Sequence, residues 1–422
     1  MVLCSKYIED EYVVRLIKYK YKGGDNSIFY RLVLNPFCNF IVKYFPKWLA
    51  PNVITVSGFF LNLLNLIITI YYTGWKGGDY IPPWACITCA ISYTTYIVLD
   101  YTDGKQARRL NASTPLGLLF DHGTDACTTF YITLVTGGIT YFNNINQYLI
   151  YYIPVTLTFF LNTWEEYYIG ELVLPVINGV AEGTLLADGV YILSALYGSS
   201  FYLKEVLIFN RYNLKINDIC AIIIAFLGVI FSVKSFFGVL FKISRNKILV
   251  AIKDTVIYMF FIICLLSIVF LNDSTIAKEY PKFLILTFGF QFAKILGILQ
   301  LSHILSCPYK VLTPVFLIPL FALTLHSIIF YLFQYELLVS IDTLIKIAFI
   351  WNFLSWLHFV YFCSNEICEI LNINRFVLGK RYPSRPSYEE IKNQNLSNSL
   401  NMVELSQKII FEYICLILNK LI

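Results

Sequence analysis

Residues 100–125 read DYTDGKQARRLNASTPLGLLFDHGTD, and the spacing within them decides the fold. Asp100, Asp103, Asp121 and Asp125 stand at the end of one apolar segment and the start of the next, with only Lys105, Arg108 and Arg109 between to answer them. A carboxylate beside hydrocarbon costs about 2.5–3.5 kcal/mol on insertion scales unless a partner offsets it. One or two divalent cations on oxygen ligands, with an anionic phosphate held between metal and arginine, would be such a partner. At about 100° per residue, Asp100, Asp103, Gly104 and Ala107 share one helix face, and Gly117, Asp121 and Asp125 share a face of the next. Between them, residues 111–115 (NASTP) form a stop and restart, with Ser113 or Thr114 as the cap and Pro115 in the first turn. The stretch predicts two helices joined by a short turn, presenting their carboxylates to each other. Gly104 and Gly117 are bare positions where a ligand could approach the backbone.

The rest of the chain says in what medium those helices lie. Of 422 residues, 58% are hydrophobic and only 14% charged, and the mean hydropathy is +0.65. A soluble domain of this length needs more charge, so the expected fold is all-α, a polytopic integral membrane bundle. Spans of about 20 residues, enough for about 30 Å of hydrocarbon, are expected to start near Val53, Pro83, Gly117, Tyr148, Leu186, Ile219, Val250, Phe283, Leu312 and Leu344. Asp188 and several glycines dilute the fifth. Residues 28–48, broken by Pro36 and Pro46, mix apolar and basic side chains and predict an interfacial amphipathic helix rather than a span.

Lysines and arginines before the first span, in the 105–109 stretch, at Lys242, Arg245, Lys247 and Lys310, and in the tail at Arg375, Lys380, Arg381 and Arg385 fall on one side. By the positive-inside rule that side is cytosolic, and the four aspartates open to it; Lys204, Arg211 and Lys215 run against the rule. No cleavable leader is expected in the basic, aromatic first 50 residues. The eleven cysteines, mostly inside apolar segments, read as small core hydrophobes. The net charge of +5 suits anionic headgroups, and basic residues spread along span-flanking loops give no nucleic-acid surface. Asn111-Ala112-Ser113 is a glycosylation sequon expected to stay unused on the cytosolic side.

The pattern D-x2-D-G-x2-A-R-x8-G-x3-D-x3-D, filled at Asp100, Asp103, Gly104, Ala107, Arg108, Gly117, Asp121 and Asp125, resembles the signature of the CDP-alcohol phosphotransferase family. YKYKGGDNS (19–27), NPF (35–37), FPKWLAPNVIT (45–55), TWEEYYIGELVLP (163–175) and NGVAEG (178–183) extend the resemblance to its eukaryotic choline/ethanolamine branch. The resemblance is close over most of residues 19–183 and loose beyond. It implies transfer of phosphoethanolamine or phosphocholine from CDP-ethanolamine or CDP-choline to diacylglycerol, with release of CMP. It also implies two Mg²⁺ or Mn²⁺ ions on the four aspartates, an endoplasmic reticulum location and a homodimer. The organisation expected is a segment 1–51, a catalytic core 52–184, further spans over 185–364 and a cytosolic tail 365–422, with a terminal amphipathic helix over 401–421.

Within that chemistry Arg108 would grip phosphate in bidentate fashion, and Asn52, Gly104, Lys105, Gln106, Ala107 and Gly117 would line the nucleotide side. Glu182, His122 and Asp125 are the candidate bases for the lipid hydroxyl, with Asp125 the weakest because it also ligates metal. Trp164, Glu165 and Tyr167, beside Glu166, could receive an ammonium headgroup through aromatic faces and charge, or simply form an interfacial aromatic belt. His303 is expected to be structural. Two rivals stand. A CDP-diacylglycerol-dependent phosphatidyltransferase is usually shorter, with about six spans. A cation transporter would place its carboxylates mid-span rather than at one edge.

Overall fold

The computed structural model describes residues 6–208, 212–309, 314–334 and 339–381. Lys310, Arg385 and the helix expected over 401–421 lie outside them. Among the described residues five short pieces of structure precede the first span: a 3-10 turn at Asp10–Tyr12, α1 (Val13–Lys18), strand β1 (Gly23–Asp25), a π turn at Tyr30–Leu34, and α2 (Asn35–Ile41). The helix entered at Ile28 passes through Pro36 because the wide π turn just before it absorbs the missing donor. Leu34 and Cys38 turn inward while Leu32, Phe37, Phe40 and Trp48 face outward, Leu32 72% and Trp48 77% exposed. That is the amphipathic interfacial segment, its apolar side turned away from the protein.

Among the described residues ten helices of 17 to 31 residues follow. They are α3 (Pro51–Thr73), α4 (Pro83–Arg109), α5 (Pro115–Ile139), α6 (Ile145–Ile169), α7 (Ala181–Tyr197), α8 (Ile216–Lys242), α9 (Arg245–Leu271), α11 (Pro281–Leu305), α12 (Pro314–Phe333) and α13 (Ile341–Leu371), with the short α10 (Thr275–Glu279) before α11. This is a polytopic helical membrane protein: among the described residues α3, α8, α9, α11 and α13 are long and apolar enough to cross a membrane, and α7, where the diluted fifth span was expected, is the shortest of the ten. Their starts follow local chemistry. Proline occupies the first turn of α3, α4, α5 and α11, where its missing N–H costs nothing. Thr114 and Asn144 cap α5 and α6, accepting from Gly117 N at 3.2 Å and Gln147 N at 3.1 Å. Gly170, in the left-handed region at φ 85°, ends α6.

Helix α11 is the axis of the bundle: 94% of its most apolar window is buried, and it packs on α5, α6 and α13. Around it α3 pairs with α4 and α5, α4 with α7, α6 with α8, and α9 with α12. Small residues let the helices close up. A Cβ on Gly228 of α8 would stand 2.8 Å from Pro154 Cβ and 3.1 Å from its carbonyl oxygen on α6. Gly228→Leu is therefore expected to cost about 1–3 kcal/mol by overpacking this crossing. The check is the melting temperature in detergent, and an unchanged value would mean that α8 is free to shift.

Helix α13 runs to Leu371, so residues 365–371 belong to a span-continuous helix rather than to the loop-like tail expected from 365. Cys363, Ile367 and Cys368 pack under Ile8, Val13 and Leu16 of the N-terminal segment, and Glu366 accepts from the backbone N–H groups of Tyr7 and Ile8 at 2.9–3.0 Å. A second departure is the pair of two-stranded ribbons. One is a hairpin of β3 (Glu205–Ile208) and β4 (Tyr212–Lys215). In the other, β1 pairs in parallel with β2 (Leu172–Leu174), Gly23 opposite Leu172 and Asp25 opposite Leu174. Cys86 and Cys89, a C-x-x-C spacing inside α4, are both fully buried free thiols.

Candidate active site

Helix α4 ends and α5 begins at the same end of the bundle, and the tight 110–114 turn, closed by Ala112 N donating to Ala107 O at 2.8 Å, folds their polar faces together. One carboxylate oxygen each from Asp100, Asp121 and Asp125 lie within 4.8 Å of one another. Asp100 Oδ1 is buried there without a hydrogen-bond partner. Three hard oxygen donors converging on one point, one of them orphaned, suit a divalent cation such as Mg²⁺. Asp103 departs from the trio: its Oδ2 accepts from Thr55 Oγ1 of α3, while Asp125 Oδ1 accepts from Tyr96 Oη.

The three carboxylates border a cavity of about 320 Å³ that also takes in Asp103, Gly104, Ala107, Arg108, Gly117 and Asn52. The Arg108 guanidinium lies across Gly104, its Nη1 3.4 Å from where a Cβ would stand. Among the described residues no carboxylate lies within 4 Å of it, which leaves its fork of donors for a phosphate. Gly117 is similarly overlaid by Asn52 Oδ1 at 3.5 Å. Asn52 in turn donates from Nδ2 to Arg375 O at 2.8 Å, so the segment after α13 closes over this side.

Lys105 and Gln106 do not reach the cavity. One and two residues past Gly104, they are rotated off its helix face. Lys105 Nζ goes to Asn35 Oδ1 and lies 5.7 Å from the Tyr30 ring centroid, and Gln106 Nε2 donates to the carbonyls of Pro46 and Leu49 at 3.0 and 3.2 Å. They hold the interfacial segment against α4.

Of the three candidate bases, His122 and Asp125 line the cavity and Glu182 does not. Glu182 Oε1 accepts from Ser27 Oγ at 2.8 Å and Phe29 N at 3.1 Å, and its Oε2 accepts from Asn178 N at 2.9 Å. It fastens the N-terminal strap to the start of α7. Trp164 is fully buried against Phe236, Glu165 faces Lys242 at 4.0 Å, and Tyr167 Oη donates to Cys307 O at 2.9 Å. None of these three borders the cavity.

Two features carry more than the sequence alone indicated: Glu166, expected only alongside the headgroup candidates, and the strap. Glu166 is wholly buried, its oxygens without hydrogen-bond donors, 3.8 Å from His122 Nδ1 and 3.6 Å from His303 Nε2. The signal was present: Phe159, Asn162, Thr163 and Glu166 recur at helical spacing, and the first three line the cavity. The second is the strap itself. Through β1 it lays Tyr21, Gly23, Gly24 and Asp25 across the cavity, opposite Tyr30 and Tyr101. A Cβ at Gly23 would stand 2.9 Å from Leu172 O, so only glycine lets the strap lie this close to β2. Asp25 accepts from Tyr101 Oη at 2.6 Å, Ser27 N at 2.8 Å and Asn178 Nδ2 at 3.0 Å. Burial pushes its carboxyl above the ordinary value, against the pull of those three donors.

A carboxylate triad beside an arginine, with two glycines on the same cavity, is an arrangement that could hold a divalent cation against a phosphate-bearing group. Residues 48–172 match the family model for CDP-alcohol phosphatidyltransferase. The chain is 30% identical to choline/ethanolaminephosphotransferase 2 of Arabidopsis thaliana over 313 residues, 72% of this chain and 80% of that protein. It is 29% identical to choline/ethanolaminephosphotransferase 1 of Saccharomyces cerevisiae over 342 residues, 76% and 85% of the two chains. With ethanolaminephosphotransferase 1 of Homo sapiens it shares 38% over 215 residues, 49% of this chain and about half, 53%, of the human one. The chain belongs to the CDP-alcohol phosphotransferase family and is an integral membrane transferase of phospholipid biosynthesis.

Proposed function

We propose that this protein transfers phosphoethanolamine, phosphocholine or both from the CDP-linked alcohol to diacylglycerol, forming the phospholipid and CMP. The observation that carries the reading is the convergence of Asp100, Asp121 and Asp125 beside Arg108 in one cavity, together with relatives named for these headgroups. The aspartates would hold Mg²⁺ or Mn²⁺, two ions if Asp103 joins. A bound cation would neutralise the pyrophosphate and stabilise CMP as it leaves.

The chain's own residues account for the rest. Arg108 binds a phosphate through paired donors, and Asn52, Gly104 and Gly117 leave the nucleotide room against the backbone. The diacylglycerol hydroxyl oxygen bonds to the headgroup-bearing phosphorus while the bond from that phosphorus to the CMP oxygen breaks. His122 takes the hydroxyl proton. It lines the cavity, and Glu166 faces its Nδ1 at 3.8 Å to balance the imidazolium. Asp125 is engaged by Tyr96 and the triad, and Glu182 by the strap.

Residues 52–184 form the catalytic core in this reading, with the later spans completing the lipid chamber. The site opens to the cytosol from the endoplasmic reticulum membrane, and the enzyme works as a homodimer. The test is CMP release in nanodiscs with diacylglycerol, using CDP-ethanolamine or CDP-choline, with Mg²⁺ or EDTA. Metal-dependent release from either donor is expected. Turnover of CDP-diacylglycerol with inositol or glycerol phosphate instead would keep the family and overturn the substrates.

A further inference from the structure

We propose that Asp25, on the strap across the cavity, selects the headgroup, binding the ammonium end of the CDP-linked alcohol and favouring a primary ammonium over a trimethylammonium. This deepens the transferase reading above and rests on it.

Asp25 shares the cavity with the carboxylate triad but comes from the strap rather than from α4 or α5, with Tyr101 donating to it and the Tyr30 ring against that of Tyr101 at 4.7 Å. Among the described residues no lysine or arginine is paired with it. Lys105, on the same side of α4 as Tyr30, is directed to Asn35. Glu182, fastening the same strap behind it, adds a second negative charge rather than relief. A half-buried carboxylate without a countercation is unfavourable, and in a substrate cavity the missing cation is naturally one that arrives with the substrate.

The hydrogen bonds say which cation. A carboxylate offers about four acceptor positions. Oδ1 of Asp25 is filled by Ser27 N and Asn178 Nδ2, but Oδ2 receives Tyr101 Oη alone. One directed position on Oδ2 is left. A primary ammonium has N–H donors to fill it; a trimethylammonium has none and gains only charge attraction and contact with tyrosine faces. Asp25 and Tyr101, which donates to its Oδ2, border the same cavity as Asp100, Asp121 and Asp125, so one CDP-linked alcohol in that cavity meets both the triad and the strap.

The experiment compares kcat/KM for CDP-ethanolamine and CDP-choline in diacylglycerol nanodiscs, for the wild type, Asp25→Asn and Ser27→Ala, with the Kd for CDP measured on each. The wild type is expected to favour CDP-ethanolamine, and Asp25→Asn to lower that donor's kcat/KM on the order of 10- to 100-fold, with a several-fold smaller loss for CDP-choline, which gives up charge attraction but no directed hydrogen bond. The Kd for CDP should stay as in the wild type. Ser27→Ala loosens the strap without removing the charge and should change both donors by one factor. A wild type that prefers CDP-choline overturns the proposal, and this arm tests it even if Asp25→Asn fails to fold. So does an Asp25→Asn variant that loses both donors equally, which would make Asp25 a fixture of the strap. A wild type that binds CDP but releases CMP from neither donor overturns the transferase reading, and this assignment with it.

Discussion

Asp121→Ala is expected to abolish metal-dependent CMP release, a loss on the order of a thousandfold or more. Asp121 supplies one of the three oxygens that meet within 4.8 Å, and it comes from α5, opposite Asp100 of α4. Its loss removes one of the three carboxylates that meet there and so weakens the hold on a hard cation in competition with water. The same substitution separates this role from a structural one by its sign on stability. Without metal, three carboxylates this close repel one another, so the metal-free variant should melt no lower than the wild type. With Mg²⁺ or Mn²⁺ the wild type should gain melting temperature, as any native-state ligand confers, and the variant should not. A variant that keeps both its metal-induced shift and most of its turnover would remove Asp121 from the metal site.

The second large effect is expected at His122. His122→Gln keeps a polar side chain of similar reach but cannot accept the lipid proton, and kcat should fall on the order of 10²- to 10⁴-fold. The Kd for CDP should be unchanged, because in the proposed reading the nucleotide lies against Asn52, Gly104, Arg108 and Gly117, which border the cavity. Glu166→Gln is the companion. Glu166 is fully buried without a donor to either oxygen, an arrangement that is costly unless a cation forms beside it. The imidazolium of His122, at 3.8 Å, would be that cation during turnover, with His303 at 3.6 Å on the other side. Glu166→Gln should therefore reduce kcat less than His122→Gln while leaving KM for the donor alone. A wild-type kcat in His122→Gln would return the base to Asp125 or Glu182.

How far the site was legible follows from how local each part is. The two helices and their turn could be read directly, since Thr114, Pro115 and the helical spacing of the carboxylates act within one or two turns. Lys105 and Gln106 were expected on the nucleotide side with Gly104, but one and two residues further along the helix they turn instead to Asn35 and to the carbonyls of Pro46 and Leu49. His122 stood between two aspartates, and only the fold revealed that rotation off their face carries it toward a buried glutamate. Glu182 looked like a base because it returns to the right end of the bundle. In the fold its oxygens are taken by Ser27, Phe29 and Asn178. The aromatic–acidic run at 164–167 looked like a headgroup site, but adjacent helical residues point in different directions, and only Glu166 turned inward to the site.

By itself the sequence determined a bundle of about ten spans, an amphipathic segment before them, and a carboxylate motif set across two helix ends. Hydrophobic length, proline, caps and helical period are properties of short stretches, and no distant contact was needed to read them. Only the tertiary structure decided that α11 is the axis, that the segment after α13 reaches Asn52, and that a parallel ribbon lays Asp25 over the cavity. Gly23 and Leu172 are neighbours in space but far apart in the chain. Which partner such a glycine strap finds is set by the packing of the whole bundle, and no local preference of Gly-Gly-Asp encodes it.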